Sequence, residues 1–120
     1  KRIYVNSSGW GGFGTVAPTS TLESGGSLGI KIAASATGAT LDGTNCVRIL
    51  TATGQTDTLP TAVGITGRVY TVKLSAAGTG TVATTSSQTI DGSTTYSLSA
   101  QYKYVTVISD GANWQIIANN

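Results

Sequence analysis

Short segments in which apolar and polar residues alternate strictly are the feature of this sequence that most constrains its fold. Residues 68–74 place three apolar side chains on one face, namely Tyr70, Val72 and Leu74. In residues 95–104 the even positions are apolar or aromatic, and the apolar set then moves to the odd positions Val105 and Val107. Period-two alternation predicts half-buried β-strands, and the change of phase predicts a bulge or bend near Tyr104.

Three less regular segments also have the character of strands. Residues 46–50 form an apolar run with one arginine, and residues 113–118 are nearly all apolar. Residues 27–33 carry three apolar side chains on one face, namely Leu28, Ile30 and Ile32. Strands that recur about every 8–12 residues are typical of sandwiches, barrels and fibre modules.

The composition supports an all-β chain and removes several kinds of chemistry. Thr, Ser and Gly fill 50 of the 120 positions, and only 10% of the residues are charged. Threonine favours extended backbone because it is β-branched. The chain has no histidine and one cysteine, Cys46, so it cannot build a histidine triad, a histidine metal site or a disulfide framework of its own. We therefore expect no enzymatic activity, no metal and no cofactor.

The charge pattern argues against two classes of partner. The net charge is +2, and apart from Lys1 and Arg2 the basic residues stand singly along the chain. Nucleic-acid binding needs a basic stripe, so we do not expect it. No apolar run is long enough to insert into a membrane. The chain begins without methionine, and we expect it to be part of a longer protein.

Asp-Gly dipeptides mark three turns. They are Asp42-Gly43, Asp91-Gly92 and Asp110-Gly111. Asp-Gly is a strong hairpin signal because glycine accepts a positive φ and aspartate tolerates one. Residues 40–44 resemble residues 89–93, which allows two related halves at about 21–66 and 67–120. Ahead of this β domain of residues 21–120, residues 1–20 form a glycine-rich arm whose stretch 7–14 we expect to be a loop.

The small number of large apolar residues leaves the source of the core open. Residues 75–89 hold one sizeable apolar side chain, Val82, which buries too little surface to offset the entropy of ordering the segment. One solution is a homotrimer in which thin β elements pool their apolar faces about a three-fold axis. The other is a monomeric sandwich with a small core. The expected fold is therefore all-β, with short antiparallel strands in a sandwich or a β-prism-like module.

The second half of the chain resembles a module of bacteriophage fibre and tail proteins. Its strand Gly67-Arg68-Val69-Tyr70 leads through a Thr/Gly-rich stretch to Ile90-Asp91-Gly92, then to Tyr96-Ser97-Leu98, and ends on the run from Val105 to Trp114. The preceding Leu59-Pro60-Thr61-Ala62 is similar to the lead-in of the same module. The resemblance covers about half of the chain. It implies a trimeric all-β appendage of a virus particle, facing the exterior.

Six residues are candidates for contact with a ligand: Trp10, Phe13, Tyr102, Tyr104, Asn113 and Trp114. Aromatic rings stack on sugars, and asparagine bonds hydroxyl groups. For Asn113 and Trp114 we favour a tight turn whose indole packs on its own core. Tyr102 and Tyr104 are expected on one face of a strand, in a core or between chains. Cys46 is expected to be a buried small hydrophobe.

Together these observations predict a structural and adhesive domain of a trimeric virion fibre or tail spike, which attaches to a glycan or protein of the host surface. Two other functions stay open. One is a purely structural head fibre or capsid decoration without receptor contact. The other is a monomeric carbohydrate-binding β-sandwich.

Overall fold

The computed structural model describes residues 3–5, 7, 11–13 and 22–120, and this part of the chain contains strands and turns but no helix. Its strands are β1 (Ile3–Val5), β2 (Gly11–Phe13), β3 (Leu22–Ser24), β4 (Ile32–Ser35), β5 (Val47–Leu50), β6 (Gln55–Thr58), β7 (Val69–Leu74), β8 (Gly80–Ala83), β9 (Thr95–Leu98), β10 (Tyr104–Ser109) and β11 (Trp114–Asn119). The predicted all-β class is confirmed. Within the described ranges no helix is long and apolar enough to cross a membrane.

The strands form three sheets. β1, β2 and β3 make a small N-terminal sheet. The five-stranded sheet has the order β11-β10-β7-β5-β4, and the facing sheet has the order β6-β8-β9. Two expectations are wrong in detail. Residues 11–13 pair with β1 as a strand rather than a loop, and the strand expected at residues 27–33 begins only at Ile32.

The chain coils between the five-stranded and facing sheets. After β4, residues 39–41 run beside β6, where the Leu41 N–H donates to the Thr58 carbonyl at 2.8 Å. The chain then visits the two sheets alternately through β5, β6, β7 and β8. As a result β4, β5 and β7 pair in parallel, and so do β6 and β8.

The expectation of antiparallel pairing is therefore wrong for this coiled part of the chain. Two neighbouring strands can be parallel only if the chain crosses over before it returns. Here a strand of the opposite sheet provides the crossover that a helix provides in α/β proteins. Antiparallel pairing follows at the C-terminal end, where β9 pairs with β8, and β10 pairs with β7 and β11.

The core lies between the five-stranded and facing sheets. In β7 the alternation predicted from the sequence is confirmed, because Tyr70, Val72 and Leu74 are buried and their neighbours are not. The facing sheet contributes Val82 and Leu98, which are both fully buried. The thirteen buried apolar residues form one cluster that extends from Leu41 to Trp114.

One ion pair is buried at the start of the coil. Arg48 on β5 donates from Nε and Nη2 to the two carboxylate oxygens of Asp57 on β6, at 3.1 and 3.0 Å. Arg48 also donates to the Thr37 carbonyl, and Asp57 accepts the Ala39 N–H at 2.9 Å. The hydrogen bond to Asp57 raises the pKa of Arg48. The pair thus ties the segment 37–39 to both sheets.

The three Asp-Gly dipeptides lie in turns of different kinds. Asp91 and Gly92 both have positive φ, and Ile90 and Ser93 exchange two backbone hydrogen bonds across them. Asp110-Gly111 connects the antiparallel pair β10 and β11. Asp42-Gly43 lies in a crossover that leads to β5, and the Asp42 carboxylate there accepts the Thr44 N–H at 2.8 Å.

Stability in acid is expected to depend on Asp110. Its carboxylate accepts the N–H groups of Asn113 and Ala112 at 2.7 and 2.8 Å and the Gln115 amide at 2.7 Å. These bonds hold the pKa of Asp110 below its ordinary value of 3.8. A carboxyl group whose pKa is lowered by folding stabilises the fold above its unfolded pKa, and that contribution is lost as the pH falls through the folded value.

We therefore expect Asp110→Asn to flatten the loss of stability below about pH 4, which urea denaturation between pH 2 and pH 6 measures. The variant would be less stable than the wild type at pH 6, because aspartate is the stronger acceptor. Parallel stability curves for the two proteins below pH 4 would contradict this role of Asp110.

Candidate interaction surface

Three of the segments that resemble the fibre module meet at one place in the fold. Residues 89–91 lie against the start of β11, where the Trp114 N–H donates to the Thr89 carbonyl at 2.8 Å. The Asp91 carboxylate accepts the Ile116 N–H at 3.0 Å. Residues 60–62 join the same cluster, because the indole Nε1 of Trp114 donates to the Pro60 carbonyl at 3.3 Å. The cluster attaches three chain segments to the end of the core.

Asn113 and Trp114 both make contacts that hold this cluster together. The Asn113 side-chain oxygen accepts the Thr89 N–H at 2.9 Å, and Trp114 is fully buried with its ring 5.6 Å from that of Tyr70. A fully buried indole presents no face to a sugar. Within a single chain, the geometry of both residues is that of a structural contact.

Tyr102 and Tyr104 do not share a strand face, contrary to expectation. β9 ends at Leu98, and the change of phase near Tyr104 marks a turn, after which the chain enters the five-stranded sheet as β10. Tyr102 lies in that turn with a φ of +68° and a 59% exposed side chain. Lys73 Nζ lies 5.7 Å from the centre of its ring. A positive φ is costly for a bulky residue, so the surrounding structure must hold Tyr102 in this conformation.

Of the remaining residues singled out in the sequence, two are not described or are described only in part, and one differs from expectation. Trp10 lies outside the described residues, and Phe13 is described only as part of the backbone of β2. Cys46 is exposed rather than buried. It precedes β5, so its side chain is not part of the alternating inward set of that strand.

The outer face of the five-stranded sheet is the largest feature that the sequence did not single out. Residues that pair across strands share a face, so the register defines the face from Ile32 on β4 to Ala118 on β11. Its other members are Ala34, Val47, Ile49, Val69, Thr71, Lys73, Tyr104, Thr106, Ile108 and Gln115. Only one of these twelve residues, Lys73, is charged. We call this set the outer apolar face.

The outer side of the facing sheet has a different character. The same register arguments place Thr56, Thr81 and Ser97 in one row and Thr58, Ala83 and Thr95 in the next. Five of these six residues carry a hydroxyl group. The two outer sides of the domain are thus chemically unequal, with one suited to water and the other to burial.

A groove adjoins the outer apolar face at the start of β7. It has a volume of about 550 Å³ and is lined by Ile30, Cys46, Ile65 and Arg68 together with Val47 and Val69 of the face. Its lining is mostly apolar, and Arg68 supplies the one charge among these residues. The groove therefore extends the apolar surface beyond the strands.

Several buried polar residues that position these elements were not foreseen. Gln88 accepts the Ala62 N–H at 2.8 Å and donates to the Thr61 hydroxyl, and the Ser109 hydroxyl donates to the Ala62 carbonyl at 2.7 Å. Arg48 and Asp57 are also buried polar residues that the sequence analysis did not single out. Polar residue types in a polar sequence carry no signal of burial, so only the single arginine in the apolar run 46–50 could have drawn attention.

The described residues contain no group of three or more side chains suited to hold a metal ion. No protein-family model, curated protein or solved structure matches the chain.

Proposed function

We propose that the chain is a structural and adhesive domain of a trimeric virion fibre or tail spike, facing the exterior of the particle and attaching to a glycan or protein on the host surface. The observation that carries the proposal is the coil of parallel strands that ends in antiparallel strands. Each turn of such a coil contacts only its neighbours, which is how elongated β structures are extended. The antiparallel strands cover one end of the stack, as the end of a rod requires.

The arrangement also suits a mechanical role. Every turn of the coil is held by hydrogen bonds between strands that are distant in sequence, such as those of β5 with β7. The turns also share one buried apolar cluster, so opening one turn exposes part of the core of the others, which favours slow, cooperative unfolding. Slow unfolding is the property that an appendage exposed to proteases and shear requires.

Tyr102 supports the adhesive part of the proposal. Its ring is exposed on a turn whose backbone is fixed, because the Tyr102 N–H donates to the Leu74 carbonyl at 2.7 Å. A preorganised aromatic ring can stack on a pyranose with little loss of conformational entropy. Three copies in one trimer would turn weak contacts of this kind into useful avidity.

The proposal is tested by light scattering on a sizing column before and after heating, followed by a glycan array. We expect a mass near three times 12.1 kDa that survives heating. We also expect array binding that falls about tenfold or more in Tyr102→Ala and is retained in Val63→Ala, since Val63 is an exposed apolar residue on a different loop.

The remaining outcomes separate the alternatives. A heat-resistant trimer that binds no glycan and no host cells would favour a purely structural head fibre or capsid decoration. A monomer of 12.1 kDa that binds glycans would favour the carbohydrate-binding sandwich. Hydrolysis of a polysaccharide would contradict the expectation that the chain is not an enzyme.

A further inference from the structure

We infer that the ligand of the exposed Tyr102 ring is an acidic saccharide, whose anionic group is held by the ammonium group of Lys73. The inference rests on the adhesive part of the proposed function, and it adds the chemical class of the ligand. It starts from the proximity of an exposed aromatic ring and a cation. Lys73 Nζ lies 5.7 Å from the centre of the Tyr102 ring, and Tyr102 is 59% exposed.

Backbone hydrogen bonds hold together the two segments that carry the ring and the ammonium group. Leu74 follows Lys73 and ends β7, and its N–H donates to the Lys103 carbonyl at 2.9 Å. The Leu74 carbonyl accepts the Tyr102 N–H at 2.7 Å. Both backbone groups of Leu74 thus bind the turn that carries Tyr102. The ring and the lysine are therefore brought together before any ligand arrives, which reduces the entropy lost on binding.

The ammonium group of Lys73 is free to bind an anion. In the part of the chain that the structure describes, the one ion pair joins Arg48 to Asp57. Lys73 is therefore paired with no side-chain carboxylate, nor with the terminal carboxylate on Asn120. The face of an aromatic ring attracts a cation but leaves its N–H groups able to donate elsewhere. An anionic ligand would supply the acceptors that these groups lack.

The acidic residues lie away from this site. β5 and β7 are parallel and β10 is antiparallel to them, so the turns before β5 and after β10 lie at one end of the domain. Asp42 and Asp110 lie in these turns, and Asp91 lies beside the start of β11 at the same end. The two other acidic side chains belong to the buried ion pair and to β3. Lys73 and Lys103 lie at the opposite end, which an anionic ligand can approach without meeting those three aspartates.

An acidic saccharide can use the ring and the ammonium group together. A pyranose stacks on an aromatic ring through its apolar face. An anionic substituent of that sugar then lies beside the ring, within reach of the flexible Lys73 side chain. Hydrogen bonds between an ammonium group and an anion are roughly twice as strong as those between neutral groups. A neutral sugar would use the ring alone, so the site favours the acidic one.

The test is Lys73→Gln on an array of acidic and neutral saccharides, with Lys31→Gln as its matched control. Both variants remove one positive charge, and Lys31 is exposed just before β4, at the end of the domain that holds the aspartates. We expect Lys73→Gln to lower the binding of acidic saccharides about tenfold or more, and Lys31→Gln to leave it unchanged. Lys73→Arg keeps the charge and should retain most of the binding. Circular dichroism establishes that the variants are folded.

A change in the ligand gives a second, independent measurement. Methyl esterification of a carboxylate, or removal of a sulfate, takes the charge from the saccharide that binds best and keeps its sugar ring. We expect this change to weaken binding to the wild type about as much as Lys73→Gln does. It should have little further effect on Lys73→Gln itself, since the charge and the lysine act as one pair.

Three outcomes would overturn the inference. Binding of neutral saccharides alone, lost in Tyr102→Ala, would contradict the acidic class and leave the proposed function standing. Equal losses in Lys73→Gln and Lys31→Gln would show that net charge, and not Lys73, attracts the ligand. Absence of binding to any saccharide would also overturn it, and binding to host cells would then decide whether the adhesive part of the proposed function stands.

Discussion

Replacing Trp114 with alanine is expected to lower the free energy of unfolding by about 3–5 kcal/mol. The indole is fully buried, its ring lies 5.6 Å from that of Tyr70, and its Nε1 donates to the Pro60 carbonyl. The substitution would leave a cavity where residues 60–62 and 89–91 meet β11. Urea denaturation followed by far-ultraviolet circular dichroism, at one protein concentration, measures the loss.

Two variants serve as controls for this experiment. Trp114→Phe keeps an aromatic ring near Tyr70 but loses the donor to the Pro60 carbonyl, so its loss should be smaller. Val63→Ala alters a residue that is 60% exposed and should change stability by less than about 0.5 kcal/mol. If Trp114→Ala cost less than about 1 kcal/mol, the indole would not hold the cluster together, and its interpretation as a ligand contact would return.

Breaking the buried ion pair should have an effect of similar size. Arg48→Met is expected to cost about 3–5 kcal/mol, because it leaves the fully buried Asp57 carboxylate without its cation. Methionine retains much of the apolar volume of the arginine side chain, so the loss reports on the charge more than on a cavity. The same urea denaturation measures it.

The double variant Arg48→Met/Asp57→Asn is the informative control. Asparagine can still accept the Ala39 N–H with its side-chain oxygen and carries no charge to leave unpaired. The double variant should therefore be more stable than Arg48→Met alone, which is the non-additivity expected of a coupled pair. If the double variant lost as much stability as Arg48→Met and Asp57→Asn lose together as single variants, the two residues would act independently.

The sequence predicted the parts of the fold that depend on local pattern. The alternation in residues 68–74 identified β7 and its buried face, and the apolar runs located β5 and β11. The segment 27–33 shows the limit of prediction from local pattern. Of its apolar residues Leu28, Ile30 and Ile32, only Ile32 lies in a strand, and all three are exposed in the single chain, because alternation records neither whether a segment pairs nor what covers its face.

The candidate site shows the same division. The sequence indicated Trp114 and Asn113 as either ligand contacts or turn residues, and their burial and hydrogen bonds decide between the two within one chain. It placed Tyr102 on a strand with Tyr104, because both fit one alternating pattern. The turn that separates them depends on where β9 leaves one sheet and β10 enters another.

By itself, the sequence determined that the chain is all-β and where its main strands lie. It also excluded chemistry that needs histidine, because the chain has none. Only the tertiary structure decided that β4, β5 and β7 pair in parallel, that Arg48 and Asp57 meet in the core, and that one outer side of the domain is apolar. The physical reason is that strand character depends on neighbours in sequence. Pairing direction, ion pairing and the composition of a sheet face depend on residues that the chain brings together from far apart.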